Sequence, residues 1–264
     1  MQSRDRVRRS GLKQLLVRRC SPLFIITTGL VLLLPMAAVA ADKKPAAAAP
    51  VDSGSFAVMM GGQRVATETF SISQDSRGSS ITSRFKSEAG AEKAEQTSDL
   101  ELSANGDLYH YEWKELGPGQ SHAVVEPDGN FLIERVWKSP TEKPLEQPLL
   151  LSASTSILDD YFFVQREVLA WRYLATTCKH EAGPIECPLK QKQQMGTLNP
   201  HIRASQSVSV AYAGREKIKI RGVEQELIRL DMTAESGDWS LWLDDGLKLQ
   251  RVLAPAENTE VVRD

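Results

Sequence analysis

The residues with the plainest capacity for chemistry sit in CKHEAGPIEC, Cys178 to Cys187. In an oxidising compartment, two cysteines closing a short loop form a disulfide, which at this loop size is worth about 3 kcal/mol. The alternative is a metal site built from Cys178, His180 and Cys187. Zinc motifs place paired ligands closer together and supply a fourth, so the spacing favours the disulfide and no metal is expected.

Elsewhere the inventory is thin. The four histidines are His110, His122, His180 and His201, and no G-x-S-x-G, H-E-x-x-H or phosphate-cradling glycine loop accompanies them. A catalytic base needs a nucleophile and an orienting group beside it in space, which spacing along the chain does not supply. Asp159, Asp160, Asp244 and Asp245 read as helix-start and turn residues rather than a carboxylate pair. No catalytic residue and no cofactor is expected, and the protein reads as a non-enzyme.

The chain has 264 residues, and its beginning reads as an export segment. Residues 1–40 carry seven Lys or Arg against Asp5, then an apolar run ending in Ala38-Val39-Ala40, a site for cleavage before Ala41. The apolar stretch 22–41 is about 20 residues, long enough to span a bilayer as an uncleaved anchor. Either outcome places the remainder outside the cytoplasm, in the periplasm or an equivalent space. VRRSGLK, Val7 to Lys13, also resembles a twin-arginine signal, with Gly11 where an aromatic is usual. Removing this segment of net +6 from a chain of net −2 leaves −8. So acidic a domain argues against a nucleic-acid partner.

The elements that must position any site come next. Residues 41–54 are Ala/Pro-rich and read as a tether, with one domain over 55–264. Gly61-Gly62, Asn105-Gly106, Asp128-Gly129 and Asp245-Gly246 are hairpin-turn signals between alternating runs. Alternation places Tyr109, Tyr111 and Trp113 on one face, as it does Phe131, Ile133 and Trp137, then Val208, Val210 and Tyr212. Trp239, Leu241 and Leu243, with Leu247, Leu249 and Leu253, repeat the pattern. About ten or eleven antiparallel strands result, more than a flat sheet holds without curling.

One segment breaks the pattern. In SILDDYFFVQREVLAWRYLA, Ile157, Tyr161, Val164, Val168, Trp171 and Ala175 follow helical spacing, with Ser156 and Asp159 as a capping box. Leu158, Phe162 and Leu169 widen this face; Asp159, Arg166 and Glu167 mark the wet side. The expected fold is mainly β (α+β): a curved antiparallel half-barrel with one central α-helix on its concave face.

The opening hairpin FAVMMGGQRVATETFSI, this helix and the closing SLWLDDGLKLQRVLAP together resemble the bacterial lipoprotein-carrier superfamily (LolA/LolB-like), or a related group of secreted domains of similar plan. The resemblance implies an envelope carrier of a hydrophobic small molecule or acyl chain. Tyr109, Tyr111, Trp113, Phe131, Tyr161, Val164, Val168, Trp171 and Trp239 are the expected cavity lining. The other readings are an interaction module for an envelope protein and an unrecognised hydrolase.

Overall fold

The computed structural model describes residues 48–89, 93–117, 119–179 and 185–264. The stretch read as an export segment, the first part of the expected tether and His180 lie outside the described residues. Among the described residues the fold is mainly β with one α-helix. Its first half is β1 (Ala49–Met60), β2 (Gln63–Asp75), β3 (Gly78–Ser87), β4 (Glu95–Ser103), β5 (Leu108–Gly117), β6 (His122–Asp128), β7 (Phe131–Trp137) and β8 (Leu145–Leu149). The second half is β9 (Ser156–Ile157), α1 (Val164–Thr177), β10 (Lys192–Asn199), β11 (Ala204–Ile220), β12 (Val223–Ala234), β13 (Gly237–Leu243), β14 (Leu249–Ala254) and β15 (Thr259–Arg263).

All 15 strands form one sheet, in the order β8-β7-β6-β5-β4-β3-β2-β1-β15-β14-β13-β12-β11-β10-β9. That exceeds the ten or eleven expected; one of the additional strands, β9, is two residues long and carries no readable alternation. Pairing is antiparallel apart from β9 with β10. The two ends of the domain meet in mid-sheet, where Phe56 pairs with Arg263 and Met60 with Thr259. Laid flat at about 4.8 Å per strand, β8 and β9 would lie about 65 Å apart. The chain nevertheless runs from Leu149 directly to Ser156, a stretch that reaches roughly 25 Å at most. The sheet is therefore curled, and its two edge strands approach each other.

The helix sits inside this curl and touches both halves. Glu68 on β2 accepts the Phe163 N–H at 2.7 Å, while Trp171 Nε1 donates to the Leu247 carbonyl at 2.6 Å from the other side. Helix formation begins at Val164, later than the Ser156 start expected from periodicity, and no local side chain caps it. Ser156 and Ile157 instead pair with Thr197 and Leu198 on β10. Enclosure also abolishes the wet side: Asp159, Arg166 and Glu167 are all buried. Asp159 and Glu167 find polar partners on surrounding strands and loops, whereas Arg166 donates to carbonyls of its own helix approach and lies over Trp239 of β13.

Five further expectations change with strand register, turns and pairing. A bulge where Leu102 faces Leu108 but Glu101 faces His110 leaves Leu108 and Tyr111 buried and turns Tyr109 out, 66 % exposed. On β7 the core-facing set is Leu132, Glu134 and Val136, so Phe131 and Trp137 are only half-buried and stand outside the core. On β14 a bulge puts Leu249 and Val252 inside and sends Leu253 to a second apolar cluster with Trp242. The glycine turns at Gly61-Gly62, Gly106 and Gly129 adopt positive φ as expected, but in the β13–β14 turn it is Leu247 that does so, at +61°. Finally, β1 begins at Ala49, inside the stretch read as tether, because Ala49 to Gly54 pair with β2 and Asp52 is buried against Arg263 and Lys248.

Candidate functional site

The helix face expected to be covered is the one left most open. Val168 and Trp171 are half-buried and Ala175 is exposed, whereas Ala170, Tyr173 and Leu174 on the opposite side are buried; Leu169 is buried too but borders the same open space as Val168. Across from Val168 and Trp171 stand Ile72 on β2, Ile81 on β3 and Leu100 with Leu102 on β4. The space between is a crevice of about 390 Å³, within the roughly 300–1,000 Å³ typical of small-molecule clefts. Its facing walls are chiefly aliphatic, and polar side chains including Gln74, Ser79, Asn105 and Thr176 share the lining. Gln165 lies at one end, and Arg172 lies along the rim, reaching the Gly106 carbonyl and Ser156 Oγ at 3.4 Å each and Asp107 at 3.8 Å. Such a site can hold an apolar chain and orient a polar end; it holds no nucleophile and base in contact.

A second polar cluster sits at the approach to α1. Asp159 Oδ2 accepts the Tyr111 hydroxyl at 2.8 Å and meets His201 Nδ1 at 2.6 Å, while Oδ1 accepts the Tyr161 N–H at 2.9 Å. The other ring nitrogen, His201 Nε2, lies 2.7 Å from Gln96 Oε1. Stacked at 4.0 Å on Trp113 and at 4.7 Å beside Tyr161, the imidazole is held on both edges and both faces. Here both nitrogens tie the β10–β11 loop to β4 and to the helix approach, so the cluster is a clamp. Nothing local announces it, since Gln96, Asp159 and His201 come together only through the curl.

Buried carboxylates complete the picture. Desolvation pushes the Glu68 carboxyl up to about 7, against the Ser83 hydroxyl and two backbone N–H groups that favour its charge. Glu167 is driven to about 9 by burial and by the neighbouring Asp52, whose own carboxyl Lys248 and Arg263 hold below the usual range despite its burial. A neutral Glu167 can donate to an ionised Asp52, which is how two acids share this interior. Glu134 is raised to about 7 by burial, and both its oxygens lack a hydrogen-bond partner among the described residues.

The expected lining residues thus divide among different surroundings. Val168 and Trp171 line the crevice. Tyr111, Trp113 and Tyr161 belong to the His201 cluster, Val164 is packed in the core, and Trp239 lies under the Arg166 guanidinium at 4.5 Å. Tyr109 and Phe131 point away from the core. Cys178 and Cys187 are joined by a disulfide, which removes both as thiolate metal ligands. Comparison of the chain with protein-family models, curated proteins and solved structures gives no match.

Proposed function

We propose that the protein is a cell-envelope carrier or binding protein for a hydrophobic ligand, such as a lipid or lipoprotein acyl chain, held between α1 and the β2–β4 wall. The observation that carries this reading is the uncovered apolar face: Val168 and Trp171 confront Ile72, Ile81 and Leu102 across an open crevice instead of closing on them. A core would close such a gap, because unfilled apolar space forfeits dispersion contacts. A chain entering it would gain about 0.8 kcal/mol per buried methylene before the costs of binding. The carrier resemblance in the sequence agrees with a curled sheet around one helix, and the disulfide agrees with an exported, oxidised protein. Arg172 on the rim suits a carboxylate or phosphate end.

Native mass spectrometry of exported protein tests this by the mass of what travels with it. Uptake of a fluorescent fatty acid then gives a site-directed check: Ala175→Trp at the exposed mouth should reduce uptake at least tenfold while leaving the thermal transition near wild type. Absence of both co-purified lipid and fatty-acid uptake in folded wild type would sink the reading. In its place the edge strand β8, with Leu145 exposed on it and Leu150 exposed just after it, would favour an interaction module that adds a partner's strand.

A further inference from the structure

Arg166 is the largest fully buried side chain of the domain, 1 % exposed. Its Nη1 donates to the backbone carbonyls of Asp159 and of Phe162, the latter at 3.3 Å, and its guanidinium lies over Trp239 at 4.5 Å and Phe163 at 4.8 Å. No carboxylate forms an ion pair with it among the described residues, and its Nε has no hydrogen-bond partner there. A buried cation without a counter-ion is costly, and aromatic faces and carbonyls offset only part of that cost.

This guanidinium lines a cavity of about 600 Å³ that shares no residue with the crevice beside Val168. Trp239, Phe163 and Met232 supply an apolar wall, and Ile202, 65 % exposed, stands at the opening. Asp160, Glu235 and Glu257 are exposed and complete the lining. The lining therefore carries one buried positive charge and three carboxylates. A simple anion would meet Arg166 but be repelled by the surrounding carboxylates; a simple cation would be repelled by Arg166.

We propose that this cavity is a binding site for a small zwitterion with an apolar part. The anionic group pairs with Arg166, the ammonium group faces Asp160, Glu235 and Glu257, and the apolar part lies on Trp239. A free amino acid of apolar side chain and a phosphoethanolamine lipid share this chemistry, the head carrying the two charges and the acyl chains supplying the apolar part. The site is independent of the acyl-chain reading, and each can fail alone.

Isothermal titration of the exported protein with leucine, phenylalanine, glycerophosphoethanolamine, acetate and butylamine tests it. The expected result is saturable binding of at least one zwitterion, tenfold or more tighter than acetate or butylamine. The amino acids against glycerophosphoethanolamine tell the two sources apart. Arg166→Gln should weaken that binding at least tenfold. Because this variant also loses helix-approach contacts, the exposed pair Asp160→Asn/Glu257→Gln provides the second arm. It should fold as wild type, weaken the zwitterion and narrow its advantage over acetate. Failure of folded wild type to bind any zwitterion overturns the proposal, as does binding that the Asp160/Glu257 variant leaves unchanged.

Discussion

Glu68 on β2 caps α1 at Phe163: its carboxylate accepts the Phe163 N–H at 2.7 Å and the Val164 N–H at 3.2 Å, and the Ser83 hydroxyl at 2.7 Å braces it. Orphan N–H groups at a helix start are usually met by a Ser, Thr, Asp or Asn just before it. Here the acceptor comes from the opening hairpin, so helix start and sheet are one unit. Glu68→Ala should cost about 2–3 kcal/mol in urea denaturation, since it leaves buried donors unsatisfied. Glu68→Gln, which keeps one acceptor oxygen, should cost clearly less.

Glu134 should make the domain less stable as pH rises. Its carboxyl titrates near 7 in the folded protein and about 4.3 in an unfolded chain. Between those values the unfolded chain releases the proton and the folded one keeps it, so stability falls from about pH 4.5 to about 7 and then levels off. Glu68 contributes in the same direction, with its own value near 7. Glu134→Gln should remove one part of this slope and raise stability at pH 8 by on the order of 2–3 kcal/mol. Thermal melts of both proteins at pH 5 and pH 8 check this; an equal gap at the two pH values contradicts it.

Trp171 should hold the β13–β14 turn as well as line the crevice. Its indole reaches the carbonyl of Leu247, whose φ of +61° is strained for a branched residue. Trp171→Phe should cost about 1 kcal/mol for the lost hydrogen bond. Amide exchange should quicken at Leu247 and Lys248 while β2 and β3 stay protected.

Reducing the Cys178–Cys187 bond should destabilise the domain by about 3 kcal/mol through the freed loop. Alkylation of native protein should find no free thiol at either position until reductant is added. Chemical denaturation of Cys178→Ala/Cys187→Ala should show the same loss without reductant.

Some of this was legible along the chain, and the reason is local. Alternation survives wherever one strand face is apolar and the other wet, as where exposed Asp238 and half-buried Ser240 flank buried Trp239 and Leu241. The glycine turns declare themselves through positive φ, and the two cysteines, a pair closing a short loop, through their spacing. The disulfide, the mainly β character and the single helix needed nothing distant.

Tertiary structure decided what depends on enclosure. Periodicity assigned Arg166 and Glu167 to solvent, because a charged side chain is ordinarily held there by desolvation cost; the curl supplied buried partners and reversed the assignment. The same enclosure left Val168 and Trp171 facing a crevice, although spacing alone marked them as the covered face. Glu134 misled the reading of β7, since a charge on the inward set and Phe131 with Ile133 on the other invert the usual pattern. Bulges at Tyr109 and before Leu253 shifted faces by one residue, and a period of two has no means of announcing them. The meeting of Gln96, Asp159 and His201 is set by which strands the curl brings face to face, a property of the closed sheet and not of any window of sequence.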